Sequence, residues 1–468
     1  MSMKVVNPLT RISGFLEITV EIEDGTIVEA RNSGVLFRGF EIMLNGRPPL
    51  DAIYFTQRIC GICSTAHSMA ATLALEEALN VIPLSQGRAL RNLVHACEFL
   101  QNHLRHFYQY TVPDFVDLPK DQCLFNSANE DLRLPKEIND RITENYFRSI
   151  DFSRAAHEML ALLAGKAPHD HGIFVGGITV RPTIDKIIKF TSLLKQIKSF
   201  VDGCMIPDAT AIGQFYSDYF GIGKGYGNLL TYGAFDDITE LPDLYVKPAV
   251  LIGERKEPFE KNQITEYLNY SWYQGSSPQE PSLGTTDPDI NKESGYSWTK
   301  APRYGTVPCE VGPLARMILS GEYQNGISVM DRTIARVLEV RKIISIMETI
   351  LNFIKPDLAP QGRYEVPQKA EGAGLVDTTR GALGHWLKID GQVISHYQVV
   401  TPSAWNLSPR DGLGQRGVVE EALVGTPVQN PDNPVEIGRI VRSFDPCVSC
   451  STHVLCPGQE AKTYQVMS

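Results

Sequence analysis

Two short cysteine pairs constrain this chain more than anything else in it. One is Cys60-Gly-Ile-Cys63, close to the start; the other is Cys447-Val-Ser-Cys450, close to the end. Two residues between cysteines let both sulfurs turn toward one ion, so each pair is a bidentate thiolate clip. Brought together by the fold, they make a four-thiolate pocket, and most of the intervening chain becomes scaffold. Such a pocket suits a structural zinc, an iron–sulfur cluster, or a nickel or iron centre with an open position. A zinc knot usually closes over a short spacing and staples a small module. These clips lie almost a chain length apart in 468 residues, long enough for a large core without a staple.

Nine cysteines are too few for a disulfide scaffold. Cys97, Cys123, Cys204 and Cys309 are scattered singly and read as core residues. A net charge of −10 argues against a nucleic-acid surface or a basic membrane-binding patch. No uninterrupted apolar run has membrane-spanning length, and the N-terminus has no signal of its own.

Strict alternation over Leu16–Glu23, the Asp24-Gly25 turn and Thr26-Ile-Val predict a β-hairpin. Ser64 is placed to cap a helix ending near Leu79, and Leu84–Tyr110 reads as one long helix carrying His95, His103 and His106. These three histidines, like His67, read as packing and hydrogen-bonding residues. Residues 113–140, rich in Pro, Asp and Asn, read as a surface excursion. Helical periodicity resumes at Ser153–Leu163, Ile184–Val201 and Leu314–Ile354, the last interrupted near Gly321 and Gly326. Residues 221–300 read as irregular β and loop, and short strands such as Gln392–Val400 follow Gly372. The expected fold is one large, mainly helical α+β unit, with a long central helical bundle and peripheral hairpins and small sheets.

The residues around the clips go further. Arg58-Ile-Cys-Gly-Ile-Cys-x-x-x-His67 and Asp445-Pro-Cys-x-x-Cys-x-x-His453 resemble the signatures of nickel–iron hydrogenase large subunits. So do, in order, Thr10-Arg-Ile-x-Gly14, Phe37-Arg-Gly-Phe-Glu41, Gly165-Lys-x-Pro-His169 with Gly176-Gly177, and Ala301-Pro-Arg-Tyr304. Glu310-Val-Gly-Pro-Leu-Ala-Arg316, Arg380-Gly-Ala-Leu-Gly-His-Trp386, Thr401-Pro-Ser-Ala-Trp-Asn406 and Pro409-Arg-Asp411 continue the series.

The resemblance implies reversible heterolytic oxidation of dihydrogen at a nickel–iron centre whose iron carries cyanide and carbon monoxide. Cys60, Cys63, Cys447 and Cys450 would bind nickel, with Cys63 and Cys450 bridging to iron and Cys447 the terminal thiolate that takes the proton. Arg380 would stand over the open coordination site near a cyanide, Ser403 would hydrogen-bond a second cyanide, and Asp445 would pair with Arg380. Glu41, the carbonyl of Val399 and His453 would hold Mg2+. Residues 1–453 would form the catalytic domain, and 454–468 an extension removed by a maturation endopeptidase once nickel-insertion factors have acted. An iron–sulfur small subunit would complete a heterodimer, or a dimer of heterodimers, and carry the electrons away. Co-export with that partner would make the protein periplasmic or membrane-associated; otherwise it is cytoplasmic. A subunit of respiratory complex I shares the fold, but it lacks the clips.

Four places depart from the family pattern. Ser13 stands where a glutamate relays protons, Phe15 where a histidine follows the glycine, Asn102 where many members have an aspartate, and Asp377-Thr378-Thr379 where Glu-Ala-Pro is usual. A serine passes a proton along a chain but does not store one.

Overall fold

The computed structural model describes residues 2–119, 131–356 and 363–448. Cys123, Cys450, His453 and the expected extension 454–468 lie outside these residues.

The architecture follows the expected class. Helix Ser85–Arg105 runs through the centre, nearly every residue of it buried, and continues into a π-helical turn, His106–Thr111. It packs against Lys136–Ala164 on one side and Val329–Phe353 on the other, and Lys136–Ala164 in turn packs against Ile184–Phe200. The interruption before Val329–Phe353 is real: helix Pro313–Leu319 stops, and the long helix restarts with Ser328 capping the Asp331 amide. The N-terminal hairpin forms as the alternation predicts, Leu16–Glu23 against Thr26–Gly34 with Leu16, Ile18, Val20 and Ile22 buried, and Ser2–Val6 adds a third strand. Between Leu229 and Tyr304 lie short strands, loops and one 3-10 turn, Lys261–Gln263.

Two expectations need correction. Helix Lys136–Ala164 begins well before Ser153; apolar periodicity misses its first half, which is polar and exposed or half-buried except at Ile142, Asn145, Tyr146 and Ser149. Nor is the start of the 113–140 stretch at the surface. Phe115, Val116 and Leu118 are buried, and Asp114 is gripped by Arg11 and Arg442 at 2.5–2.7 Å. Those two arginines hold the Asp114 carboxyl down at about 2 against the effect of burial.

A three-stranded antiparallel sheet, Lys369–Thr378, Gly381–Asp390 and Val393–Val400, positions the site. Its first strand lies on helix Ser64–Leu79, where Ala70 and Ala74 face Gly372 and Gly374. A Cβ on Gly374 would sit 1.9 Å from the Ala70 carbonyl oxygen, and one on Gly372 2.2 Å from that of Ala74. The absence of side chains is what lets this strand approach the helix backbone.

Candidate metal centre

Cys60 and Cys63 of the first clip and Cys447 of the second come together near the start of that helix. Cys63 is the N-cap residue of helix Ser64–Leu79. Ser64 does not cap it; its hydroxyl accepts from the His169 amide at 2.9 Å. The cap comes instead from Glu98 on the central helix, whose carboxyl oxygens accept from the Thr65 and Ala66 amides at 2.8 and 3.1 Å. Burial pushes the Glu98 carboxyl up to about 8, the two amides pulling against it. Just upstream, Arg38 donates to the carbonyls of Arg58 and Ile59, which fixes the approach to Cys60.

The second clip is held by the N-terminal segment. The Ser13 amide donates to Pro446 O at 3.2 Å, and its carbonyl accepts from the Val448 amide at 2.7 Å, a parallel bridge across Cys447. The Cys447 amide donates to the Ser403 hydroxyl at 3.0 Å. Cys60 and Cys447 Sγ then lie 3.2 Å apart, and with Cys63 the three sulfurs fall within 4.8 Å of one another. All three cysteines are buried and none is in a disulfide. Three converging soft donors, too far apart for S–S bonds, fit a thiophilic transition metal.

Beside them is a cavity of about 10 Å³, room for about one water-sized guest. Cys63, Cys447, His67, Thr378, Arg380 and Ser403 are among its lining residues. Arg380 donates from Nε to Asp445 O at 3.0 Å and from Nη2 to Asn102 Oδ1 at 2.9 Å, and Nη2 lies 3.0 Å from Asp445 Oδ1. Asn102 closes the ring, donating to Asp445 Oδ2 at 2.7 Å. An amide suits this place because it accepts from the cation and donates to the anion at once. Burial opposes charge on Arg380, but the negative charges of Asp445 and of thiolates at Cys447, Cys63 and Cys60 outweigh it and hold the guanidinium ionised. Asp445 is correspondingly held well below the usual carboxylate range, burial being overcome first by Arg380.

The departures from the family pattern add hydroxyls here. Thr379 accepts from Arg380 Nη1 at 3.4 Å, and Thr378 accepts from the Arg380 amide at 3.3 Å. His67 meets His385 at 3.1 Å, and His385 meets the Tyr397 hydroxyl at 2.8 Å. His103 bonds Glu339 at 2.8 Å, His106 bonds Arg442 O at 2.8 Å, and His95 packs on Phe99 and Phe235. The carboxylate partner of His103 comes from a distant helix, out of reach of any local spacing rule.

Glu41 lies on a second cavity of about 70 Å³, shared with Glu266, Lys300 and Val399. Its carboxylate accepts from the Val399 amide at 2.9 Å and from the Thr286 hydroxyl, with Lys300 Nζ at 3.5 Å. The two carboxylates of this largely apolar chamber, Glu41 and Glu266, are the oxygen donors it offers a cation, and Lys300 stands between them, 3.5 Å from Glu41 and 4.0 Å from Glu266.

The chain belongs to the nickel-dependent hydrogenase family, whose model matches residues 38–122, 120–327 and 320–453. Within that family, it is 37% identical to the large subunit of the periplasmic [NiFeSe] hydrogenase of Desulfomicrobium baculatum, over 96% of this chain and 94% of that one. The hydrogenase-1 large chain of Escherichia coli strain K12 is 31% identical, over 96% and 95%. The solved structure of the reduced Ni-Fe-Se hydrogenase from D. vulgaris Hildenborough superposes with a TM-score of 0.93 at 38% identity, covering 97% of this chain and all of that one. The fold is that of a hydrogenase large subunit. Among the described residues, no helix is long and apolar enough to cross a membrane.

Proposed function

We propose that the chain is the catalytic subunit of a nickel–iron hydrogenase that oxidises dihydrogen reversibly and hands the electrons to an iron–sulfur small subunit. The observation that carries this reading is the convergence of Cys60, Cys63 and Cys447 within 4.8 Å beneath Arg380. Cys450 completes the ligand set from the second clip. When bound, a nickel–iron centre with cyanide and carbon monoxide on iron supplies the electrophile at which dihydrogen is split heterolytically.

The protein's own groups then have defined tasks. The Cys447 sulfur, aimed by the Ser403 bond to its amide, takes the proton. Arg380 holds positive charge and N–H donors at the cavity, in a site too small for bulk water to screen them. Asp445 and Asn102 keep that guanidinium from swinging away. Because its oxygen accepts from the Cys447 amide, Ser403 is left with its own O–H to donate toward the cavity, as hydrogen-bonding a cyanide requires. Ser13, next to the clip, passes protons without storing them.

Glu41 and Val399, with His453 from the C-terminal segment, form the Mg2+ site. Residues 454–468 are removed by the maturation endopeptidase, which frees His453. The small subunit sets the compartment, so the mature pair is periplasmic or membrane-associated if that partner carries an export signal.

The test is the metal content and infrared spectrum of natively purified protein shown by mass spectrometry to end at His453. Nickel and iron near one each, with three bands in the cyanide and carbonyl region, support the reading. Zinc alone, or no metal and no bands, refutes it.

A further inference from the structure

Arg316 never lines the metal cavity, yet its donors act on the segment that aims Arg380. It is completely buried on helix Pro313–Leu319. Nε and Nη2 bond the two oxygens of Glu339 at 2.7 and 2.8 Å. Nη1 donates to Thr378 O at 2.7 Å and to Asp377 Oδ2 at 3.2 Å, and Nη2 to Thr379 O at 3.4 Å. All five N–H donors of the guanidinium are thereby used, and two go to the carbonyls of the residues immediately before Arg380.

The same helix also touches Arg380 through its backbone. A Cβ on Gly312 would lie 3.0 Å from Arg380 O, and one on Gly381 would lie 2.6 Å from Gly312 N. Segment 312–316 therefore moulds the 378–381 turn by close backbone approach and by hydrogen bonds together. Glu339 is itself pinned by His103 at 2.8 Å and by the Tyr245 hydroxyl at 2.5 Å, so the anchor reaches into the central helix.

Buried ion pairs are poor sources of net stability, since apolar packing of the same volume serves as well. They do supply direction. We propose that Arg316 is a positioning residue for dihydrogen oxidation, fixing the Thr378–Thr379 carbonyls so that the Arg380 guanidinium stays aimed at the thiolate cavity. This rests on the catalytic reading of Arg380 given above.

The test is Arg316→Lys in the processed complex with its small subunit. A lysine keeps the charge and one or two bonds to Glu339, but a single ammonium does not span both carbonyls. Nickel content should stay at the native level, kcat should fall on the order of 100-fold, and KM for dihydrogen should change less than about twofold. The infrared bands should shift as the guanidinium moves. Arg303→Lys is the control, an equally buried arginine paired with Asp411 at 2.7 Å, and it should keep kcat per nickel. Should Arg316→Lys fail to accumulate, Glu339→Gln removes the anchor's charge and should give the same loss per nickel.

Native kcat per nickel with unshifted bands overturns the proposal. So does a loss of kcat that merely follows lost nickel, or that Arg303→Lys shares. Failure of the hydrogenase reading itself would show in the unmutated protein, as missing nickel and missing bands.

Discussion

Gly374→Ala adds a methyl where the backbone of the neighbouring helix leaves no room for one. The new Cβ would lie 1.9 Å from Ala70 O and 2.5 Å from Ala74 N, whereas real Cβ contacts essentially never fall below 3.0 Å. Strand Lys369–Thr378 must then retreat from helix Ser64–Leu79 by roughly 1 Å. Overpacking costs about 1–3 kcal/mol where side chains can yield. Here the nearest blocking atoms are backbone, so about 3 kcal/mol or more is expected. The functional effect should exceed the stability effect, because that helix starts at Cys63 and that strand runs into Arg380. A shift on the order of 1 Å between catalytic groups is enough to cost about 100-fold in rate. Thermal unfolding, nickel content and dihydrogen uptake with a dye acceptor are measured on Gly374→Ala and on Gly203→Ala. A Cβ at Gly203 meets nothing within 4 Å, so that variant should match the native protein. We expect Gly374→Ala to unfold on the order of 5 °C lower and to lose nickel or most of its activity per nickel. Native stability with native activity would show that the helix–strand contact does not set the site.

Three further variants probe the same frame. Ser403→Ala leaves the buried Cys447 amide without its acceptor, which costs about 1–3 kcal/mol; activity per nickel should fall and the infrared bands should move, and unchanged bands would remove Ser403 from the site. Asp114→Asn cuts the tie between Arg11 and Arg442. The native carboxyl titrates near 2 instead of near 4, so its stabilisation is complete above about pH 4 and fades as pH falls through 2. Acid unfolding of the variant should therefore run about 2 kcal/mol below native at neutral pH, with the gap closing toward pH 2, and a constant gap would refute the assignment. In Asn102→Leu, Arg380 and Asp445 both lose their shared amide; kcat should drop at least tenfold with nickel retained, and a native rate would show that the ion pair orients itself.

How much of this was legible in the sequence depends on the distance over which each feature is decided. The hairpin at Leu16–Gly34 and the break between Leu319 and Val329 come from local alternation and local glycines, and both read correctly. Cys60 and Cys63 read as a ligand pair because the chemistry of two thiolates fixes their spacing, and Cys447 joins them as the pairing of clips requires. The helix over 136–152 went unread because its few buried positions carry weak apolar periodicity. Ser64 looked like a cap because it precedes the helix body, but the acceptor came from Glu98 on another helix.

The charged interior is the part that sequence conceals most. Asp114 sits in a Pro- and Asp-rich stretch whose composition says surface, and the residues that bury it, Arg11 and Arg442, come from opposite ends of the chain. Arg316, Glu339, Asp377 and Arg380 are likewise unremarkable singly, and no periodicity links them. Motif resemblance can mark such residues without saying what they touch. The contacts supply a reason why Glu310–Arg316 and Arg380–Trp386 belong to one pattern: the helix of the first is moulded on the turn of the second, through Gly312 against Arg380 and Arg316 against Thr378. On that account the scaffold between the clips is not passive filler. It contains a second set of buried charges, and among them Arg316 ends its bonds on the carbonyls of Thr378 and Thr379, the two residues before Arg380; on the proposal above, a thiolate centre depends on ion pairs that never touch it.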